Sequence, residues 1–190
     1  GKLLKEYPKI FFHVDMTQSI AKINIPLDDV DLMSFSAHKI YGLKGVGCLI
    51  KKEGINLEPL IHGGKSTTIY RSGTPATPLI ASFAKALRLV YENYEEKDQK
   101  VRELNAYLKD QLKECNVSIN SNETCIPHIV NLSIPNIKPE TMQHALEEHD
   151  IYVSTQTACS TGEYSKSVYA ITNDVDKASH SIRISLSYKT

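Results

Sequence analysis

The apolar and polar positions divide the chain into strand-like and helix-like stretches. Short apolar runs bounded by turn residues predict buried strands, and the last run, SIRISLS, alternates with the period of two expected of a half-buried strand. These predicted strands cover residues 9–14, 31–36, 48–52, 117–120, 128–134, 151–155 and 181–187. Residues 1–7 read as the end of a helix that Pro8 closes.

Helical spacing dominates the middle of the chain. Thr77 followed by Pro78 predicts a helix start, with the hydroxyl as N-cap and proline in the first turn. Apolar residues then recur three and four apart as far as Leu112, with a bend or break expected near Asp98. A further helix is predicted to begin at Pro139. The pattern therefore predicts an α/β chain with strands and helices in residues 1–97, a small α+β domain in residues 98–190 and a long helix between them.

Composition excludes several classes of function. The chain has 190 residues, of which 41% are hydrophobic, and equal numbers of basic and acidic side chains, so it predicts folded domains with no affinity for nucleic acid or an anionic membrane surface. No stretch is long and apolar enough to span a bilayer, and the start lacks the order of a signal peptide. We therefore expect a cytoplasmic protein. Its four cysteines form no CxxC pair or zinc-ligand spacing, so no metal site is predicted.

The chemistry of the sequence centres on Lys39. The strand-like run that begins at Asp31 ends in Ser36, Ala37, His38 and Lys39, and three glycines follow at once, so Lys39 lies where a strand gives way to a tight turn. One interpretation is a solvated loop lysine. The other is a lysine held near a desolvated pocket, where its amine becomes reactive enough to form a Schiff base.

Five further motifs accompany this stretch in order, namely HVDMTQ at 13–18, HGG at 62–64, RSGT at 71–74, TACSTG at 157–162 and HSIRISLS at 180–187. Together they resemble the class V aminotransferase group, and most closely its cysteine desulfurases. The resemblance implies a pyridoxal-phosphate enzyme in which Lys39 bonds covalently to the cofactor. It also implies the architecture of that group, in which a large domain with a mixed sheet and helices is joined to a small domain.

The resemblance also implies roles for individual residues. Asp15 matches the family's carboxylate beside the pyridine nitrogen of the cofactor. Gln18 matches the residue that donates a hydrogen bond to the cofactor's ring oxygen. Ser36, His38 and Thr74 match phosphate contacts, with Thr74 reaching the cofactor of a neighbouring subunit, which implies a homodimer. Arg183 matches the residue that binds the substrate carboxylate; the alternative is a surface ion pair. Cys159, in a polar stretch that predicts a surface loop, matches the thiol that accepts sulfur.

The function that the resemblance implies is removal of sulfur from L-cysteine, giving alanine and a cysteine persulfide that a sulfur-acceptor protein would collect for iron–sulfur clusters or thio-cofactors. The alternatives are another class V reaction, such as transamination or selenocysteine lysis, or a non-catalytic truncated chain. The last arises because other family members have a longer amino-terminal part and a further carboxyl-terminal helix, so these 190 residues are expected to be a fragment. In that alternative the chain lacks the cofactor. Where desulfurases usually carry a Gly-Gln-Glu type segment, this chain has Lys65 to Thr68, which leaves partner contacts and substrate preference open.

Overall fold

The computed structural model describes residues 1–65, 67–155 and 164–190. The chain folds as two compact units, Gly1–Tyr94 and Glu95–Thr190. In chain order, the strands and α-helices are β1 (His13–Asp15), β2 (Leu32–Ser36), β3 (Gly47–Lys51), α1 (Thr77–Tyr91), α2 (Tyr94–Gln111), β4 (Ser118–Ile119), β5 (Ile129–Ser133), α3 (Pro139–Glu147), α4 (Lys166–Thr172), α5 (Val175–Ser179) and β6 (Ser181–Ser185). Single 3₁₀ turns cover Lys2–Glu6, Ala37–Ile40 and Leu112–Glu114.

The first unit contains a mixed sheet in the order β1-β2-β3. Strand β1 pairs parallel with β2, and β3 pairs antiparallel with β2. Alternate residues of β2 point into the core, where Met33 and Phe35 are buried. Phe35 packs edge to face against Phe83 of α1, with ring centroids 5.6 Å apart. The apolar stripe of α1 thus covers one face of the sheet.

The second unit contains an antiparallel sheet in the order β4-β5-β6. Its interior is formed by the alternate residues Val130 and Leu132 of β5, together with Ile182 of β6. Val168 of α4 and Ala178 of α5 are also buried in this unit. Mixed α/β structure was predicted and is observed, with one small sheet and its helices in each unit.

Several predicted boundaries are wrong. The strand expected over residues 9–14 is confined to His13–Asp15, because the register with β2 begins at the pairing of His13 with Leu32. The long helix breaks at Asn93, which has a positive φ of 53°, and not near Asp98, whose carboxylate accepts from Arg102 inside α2. Thr77 is the first helical residue instead of the N-cap, a position that Ala76 occupies with no side-chain cap.

Two further predictions failed in the second unit. The strand expected over residues 151–155 is a single bridge between Ser154 and Arg183. Helices α4 and α5 were not predicted. Both are short, and both have a side-chain N-cap, Ser165 accepting from Val168 N and Asp174 accepting from Lys177 N. The predicted division of the chain at residue 97 stays a prediction.

Candidate functional site

Lys39 lies in the tight turn that follows β2. The 3₁₀ turn Ala37–Ile40 buries Ala37 and Ile40, and the left-handed Tyr41, with a φ of 65°, reverses the chain. Gly42 N donates to Ala37 O at 2.9 Å, and a Cβ on Gly42 would lie 3.0 Å from that same oxygen, so a larger residue would crowd this approach. The buried pair therefore anchors the turn and leaves the intervening His38 and Lys39 exposed.

The exposure of Lys39 differs from the expectation of a desolvated lysine. Within the described ranges, no residue packs over its amine closely enough to bury it. The turn sets the position of the lysine at the carboxyl end of β2, while the dry surroundings that make a lysine reactive are not provided there by the described part of the chain.

Ser36 is the last residue of β2 and lies opposite Gly47 of β3. A Cβ on Gly47 would lie 3.1 Å from Phe35 O and 3.8 Å from the Ser36 hydroxyl. Because Gly47 has no side chain, no side chain from β3 faces the Ser36 hydroxyl at this position. Among the described residues, the Ser36 hydroxyl makes no hydrogen bond, which leaves it available to an oxygen-rich ligand.

Asp15 is brought to the same sheet edge by parallel pairing. It ends β1 opposite Ser34 of β2, and Met16 N continues the ladder by donating to Ser34 O at 2.8 Å. Because parallel strands end at one edge, the Asp15 carboxylate and the segment from Ser36 to Lys39 lie at neighbouring strand ends. The resemblance implied one cofactor site for these residues, and the register shows that their strand ends are neighbours.

The Asp15 carboxylate is held in its ionised form. Hydrogen bonds from Thr17, including its backbone N–H at 2.9 Å, lower the pKa of this carboxyl, and the charge of His13 lowers it further. His13 also contacts the Ser34 hydroxyl through Nε2 at 3.1 Å. Gln18 is exposed, and its Oε1 accepts from Lys22 Nζ at 3.3 Å, which leaves its amide NH₂ as a donor.

Thr74 lies in an exposed loop of the same unit. A bridge between Ile61 and Arg71 closes the loop, and Ser72 fastens it by donating from its hydroxyl to Gly64 O at 3.2 Å. Gly73 has a φ of 104°, a conformation that a side chain would strain. The loop thus presents Thr74 on a defined turn, with its side chain exposed.

Sequence reasoning missed Arg71. Its side chain lines a cavity of about 390 Å³ together with Gly45 and Gly47, which belong to the segment that follows the Lys39 turn. Thr67 and Thr68, from the segment that departs from the common desulfurase pattern, line the same cavity. The signal was present in the RSGT motif, where only the threonine was given a role.

Arg183 lies on β6 in the second unit and is partly buried. Its Nη2 donates to the Ser154 hydroxyl at 3.1 Å, and its Nε is buried and has no hydrogen-bond partner among the described residues. No carboxylate within residues 1–65, 67–155 and 164–190 forms an ion pair with it, so the surface ion-pair alternative finds no support there. Arg183 also lines a mostly apolar cavity of about 200 Å³, with Asn120, Asn131, Val168 and Ile171.

Cys159 lies outside the described residues, so its predicted role as a sulfur acceptor stays a prediction. Of the described cysteines, Cys48 is partly buried and Cys115 and Cys125 are exposed, and all three are free thiols. Burial raises the pKa of the Cys48 thiol, which makes it a poorer nucleophile. No group of metal-ligating side chains is found in the described part of the chain.

Known proteins give an independent comparison. The family model described as aminotransferase class-V matches residues 1–190. The "Putative cysteine desulfurase IscS 1" of Bacillus subtilis is 33% identical over 194 aligned positions, covering 97% of this chain and 51% of that protein. The "Cysteine desulfurase IscS" of Dictyoglomus turgidum is 34% identical over 197 positions, covering 100% of this chain and 50% of that protein.

Solved structures agree with these relatives. A structure titled "NIFS-LIKE PROTEIN" superposes with a TM-score of 0.86 at 34% identity, over 98% of this chain and 49% of that one. The NifS-like protein from Rickettsia africae superposes with a TM-score of 0.83 at 31% identity, over 100% of this chain and 51% of that one. The chain thus spans about half the length of the relatives that it matches. Because the family model covers every residue, the chain belongs to the aminotransferase class-V family.

Proposed function

We propose that this chain carries the catalytic lysine and sulfur-accepting cysteine of a cysteine desulfurase, acting on L-cysteine with pyridoxal phosphate. The observation that supports this most is the parallel register of β1 and β2, since it puts an ionised carboxylate beside the strand end that carries Ser36, His38 and Lys39. The names of the desulfurase relatives point to the same reaction.

The donor set at this edge suits pyridoxal phosphate. An ionised carboxylate at Asp15 would face the pyridine nitrogen, and the free amide donor of Gln18 would face the ring oxygen. The Ser36 hydroxyl and the His38 imidazole would donate to the phosphate, forming charge-assisted hydrogen bonds. When bound, this cofactor supplies an electron sink for bond breaking at the substrate α-carbon.

Lys39 would then act as the proton carrier. Its exposed amine lies at the end of the buried turn, where it reaches outward from the same edge as Asp15. Held there, the amine would take a proton from the substrate α-carbon and deliver it again during release of alanine. The Asp15 carboxylate would stay ionised during this proton transfer, because the hydrogen bonds from Thr17 keep its pKa low.

Arg183 and Cys159 would act on the substrate itself. The Arg183 guanidinium, which forms no ion pair with any described residue, would bind the substrate carboxylate, and Cys159 would accept the sulfur. The overall reaction balances without an external oxidant or reductant: L-cysteine and the Cys159 thiol give L-alanine and a Cys159 persulfide. A sulfur-acceptor protein would then remove the outer sulfur.

The assembly and location are part of this proposal. Thr74 would contribute to the phosphate site of a second subunit, so the working unit would be a homodimer. The cytoplasm would be its compartment; no helix in the described residues is long and apolar enough to cross a membrane. Arg71 would add a positive charge near the Thr74 loop.

The test is a comparison of Cys159→Ser with the unaltered chain, with L-cysteine and pyridoxal phosphate supplied. We expect equal amounts of alanine and protein-bound persulfide from the unaltered chain, and neither product in quantity from the variant. Turnover of L-cysteine or another amino acid that survives Cys159→Ser would favour a different class V reaction. Absence of any turnover would contradict the proposal and identify a non-catalytic member of the family.

A further inference from the structure

Arg183 is held by a neutral group. Its Nη2 donates to the Ser154 hydroxyl, and the two residues also exchange both backbone hydrogen bonds, at 3.0 Å and 2.7 Å. On the opposite side of β6, Arg183 pairs in register with Asn131, whose side-chain oxygen accepts from Asn120 at 2.7 Å. A row of uncharged polar side chains therefore crosses the sheet on both sides of one cation.

The neutrality of this row matters for binding. A guanidinium carries five N–H donors, and a carboxylate partner would fix its direction while cancelling its charge. A hydroxyl fixes the direction and leaves the charge in place. Since no described residue forms an ion pair with Arg183, the positive charge remains available to an anionic ligand.

The geometry also limits which donors are free. Nε is buried and has no hydrogen-bond partner in the described part of the chain, and one N–H of Nη2 is used by Ser154. The remaining N–H groups belong to the Nη1 and Nη2 end of the fork, which can donate two parallel bonds to a carboxylate. Rotation about Cζ–Nε would break the bond to Ser154 and change the plane in which the two N–H groups point, and rotation of the side chain nearer the backbone would turn this end away. A fixed orientation therefore decides whether the two-bond arrangement is available.

We propose that Ser154 is the positioning residue for Arg183, orienting its guanidinium for two-bond recognition of a substrate carboxylate while leaving its charge uncancelled. This inference rests on the proposed function, which gives Arg183 the carboxylate. Ser154 also lies in the segment that leads to Cys159, so the same bridge anchors the start of the predicted nucleophile segment to the strand of the arginine.

The experiment measures the Arg183 side chain directly, by nitrogen-15 NMR of its guanidinium, in the 190-residue chain with no cofactor added. Arg183→Lys identifies the signal. L-Alanine, the carboxylate-bearing product, is the titrant. Four variants are compared with the unaltered chain: Ser154→Ala, Ser154→Thr, Ser154→Asp and Ser185→Ala. The last is the matched control, because Ser185 lies on β6 and its hydroxyl makes no hydrogen bond within the described residues.

Loss of the Ser154 hydroxyl is expected to release the guanidinium. Rotation about its Cζ–Nε bond should then accelerate, and L-alanine should bind roughly tenfold more weakly, as for loss of one hydrogen bond to a charged group. Ser154→Thr should restore both properties, and Ser185→Ala should change neither. Ser154→Asp should keep the guanidinium ordered but abolish binding of L-alanine, because the new carboxylate would cancel the charge.

Three results would overturn the proposal: unchanged rotation or affinity in Ser154→Ala, retained binding in Ser154→Asp, or no response of the Arg183 signal to L-alanine in the unaltered chain. The backbone amide spectrum separates disorder of the Arg183 guanidinium in Ser154→Ala from unfolding of the whole chain. If Ser154→Ala unfolds, Ser154→Thr and Ser154→Asp still test the proposal. Because no cofactor is present, failure here is distinct from failure of cofactor-dependent turnover.

Discussion

Replacing Phe35 by alanine tests whether the candidate site rests on the core described for the first unit. Phe35 is 4% exposed and directly precedes Ser36, so its ring lies beneath the strand end that carries the site. Its principal aromatic contact is the edge of Phe83 on α1, at a centroid distance of 5.6 Å and an interplanar angle of 75°. Removal of the ring therefore opens a cavity between the sheet and the helix.

The expected cost follows from this burial. Substituting alanine for a fully buried phenylalanine lowers the free energy of unfolding by about 3–5 kcal/mol, since it removes apolar contact and leaves a cavity. Of this, about 0.5–1.5 kcal/mol belongs to the edge-to-face pair with Phe83. Leu49→Ala is the matched control on β3: Leu49 is 53% exposed, and a surface change of this kind costs no more than about 0.5 kcal/mol.

Native-state hydrogen exchange followed by mass spectrometry is the suitable assay, because it reports each unit separately. In Phe35→Ala, the free energy of opening that exchange reports for peptides from β2 should fall by about 3–5 kcal/mol. Peptides from β5, in the second unit, serve as an internal control. The coupling between the two rings is measured with Phe83→Ala and the double variant. If Phe35→Ala unfolds the first unit entirely, Phe35→Leu keeps the measurement within range.

Two results would refute this reasoning. Equal losses of protection in Phe35→Ala and Leu49→Ala would mean that burial of the ring does not stabilise β2. Additive effects of Phe35→Ala and Phe83→Ala would mean that the two rings do not interact in solution.

Three smaller predictions follow from the turn, the helix and the carboxylate. Gly45→Ala should destabilise the chain by about 1 kcal/mol in urea unfolding, since Gly45 has a φ of 94°, while Gly54→Ala, whose Cβ would meet nothing within 4 Å, should not. Ala76→Asp should raise the stability of α1 by about 1 kcal/mol by adding the missing N-cap, and equal stability would contradict that. Thr17→Val should raise the pKa of Asp15, measured by carbon-13 NMR titration, because it removes a side-chain hydrogen bond to the carboxylate. A lowered carboxyl pKa gives the folded chain stability that is lost as pH falls through that pKa. The variant should therefore lose less stability on acidification than the unaltered chain.

The sequence was informative where local pattern and tertiary structure agree. The alternation around Phe35 and the glycines after Lys39 both describe a buried strand followed by a tight turn, and the turn is observed. The resemblance implied that Asp15 and Lys39 share one cofactor site. The parallel pairing of β1 with β2, which brings their strand ends to one edge, is known only from the structure.

The errors have physical causes. Asn93 ends α1 through a left-handed residue, which apolar spacing alone does not reveal, since the spacing continues into α2. Helices α4 and α5 are too short to show helical periodicity, so only their Ser165 and Asp174 caps marked them. The contact between Ser154 and Arg183 joins residues far apart in the chain and was beyond local reasoning.

The most direct test of the central claim is the covalent attachment of pyridoxal phosphate to Lys39. The purified chain is mixed with pyridoxal phosphate, its absorbance spectrum is recorded before and after borohydride reduction, and the modified peptide is found by mass spectrometry. Lys39→Ala removes the predicted attachment site, and Lys44→Ala, at an exposed lysine of the segment that follows this turn, is the matched control. The account predicts a reducible absorbance band and a pyridoxyl group on Lys39, both lost only in Lys39→Ala. A band that persists in Lys39→Ala, or no band in the unaltered chain, would contradict it.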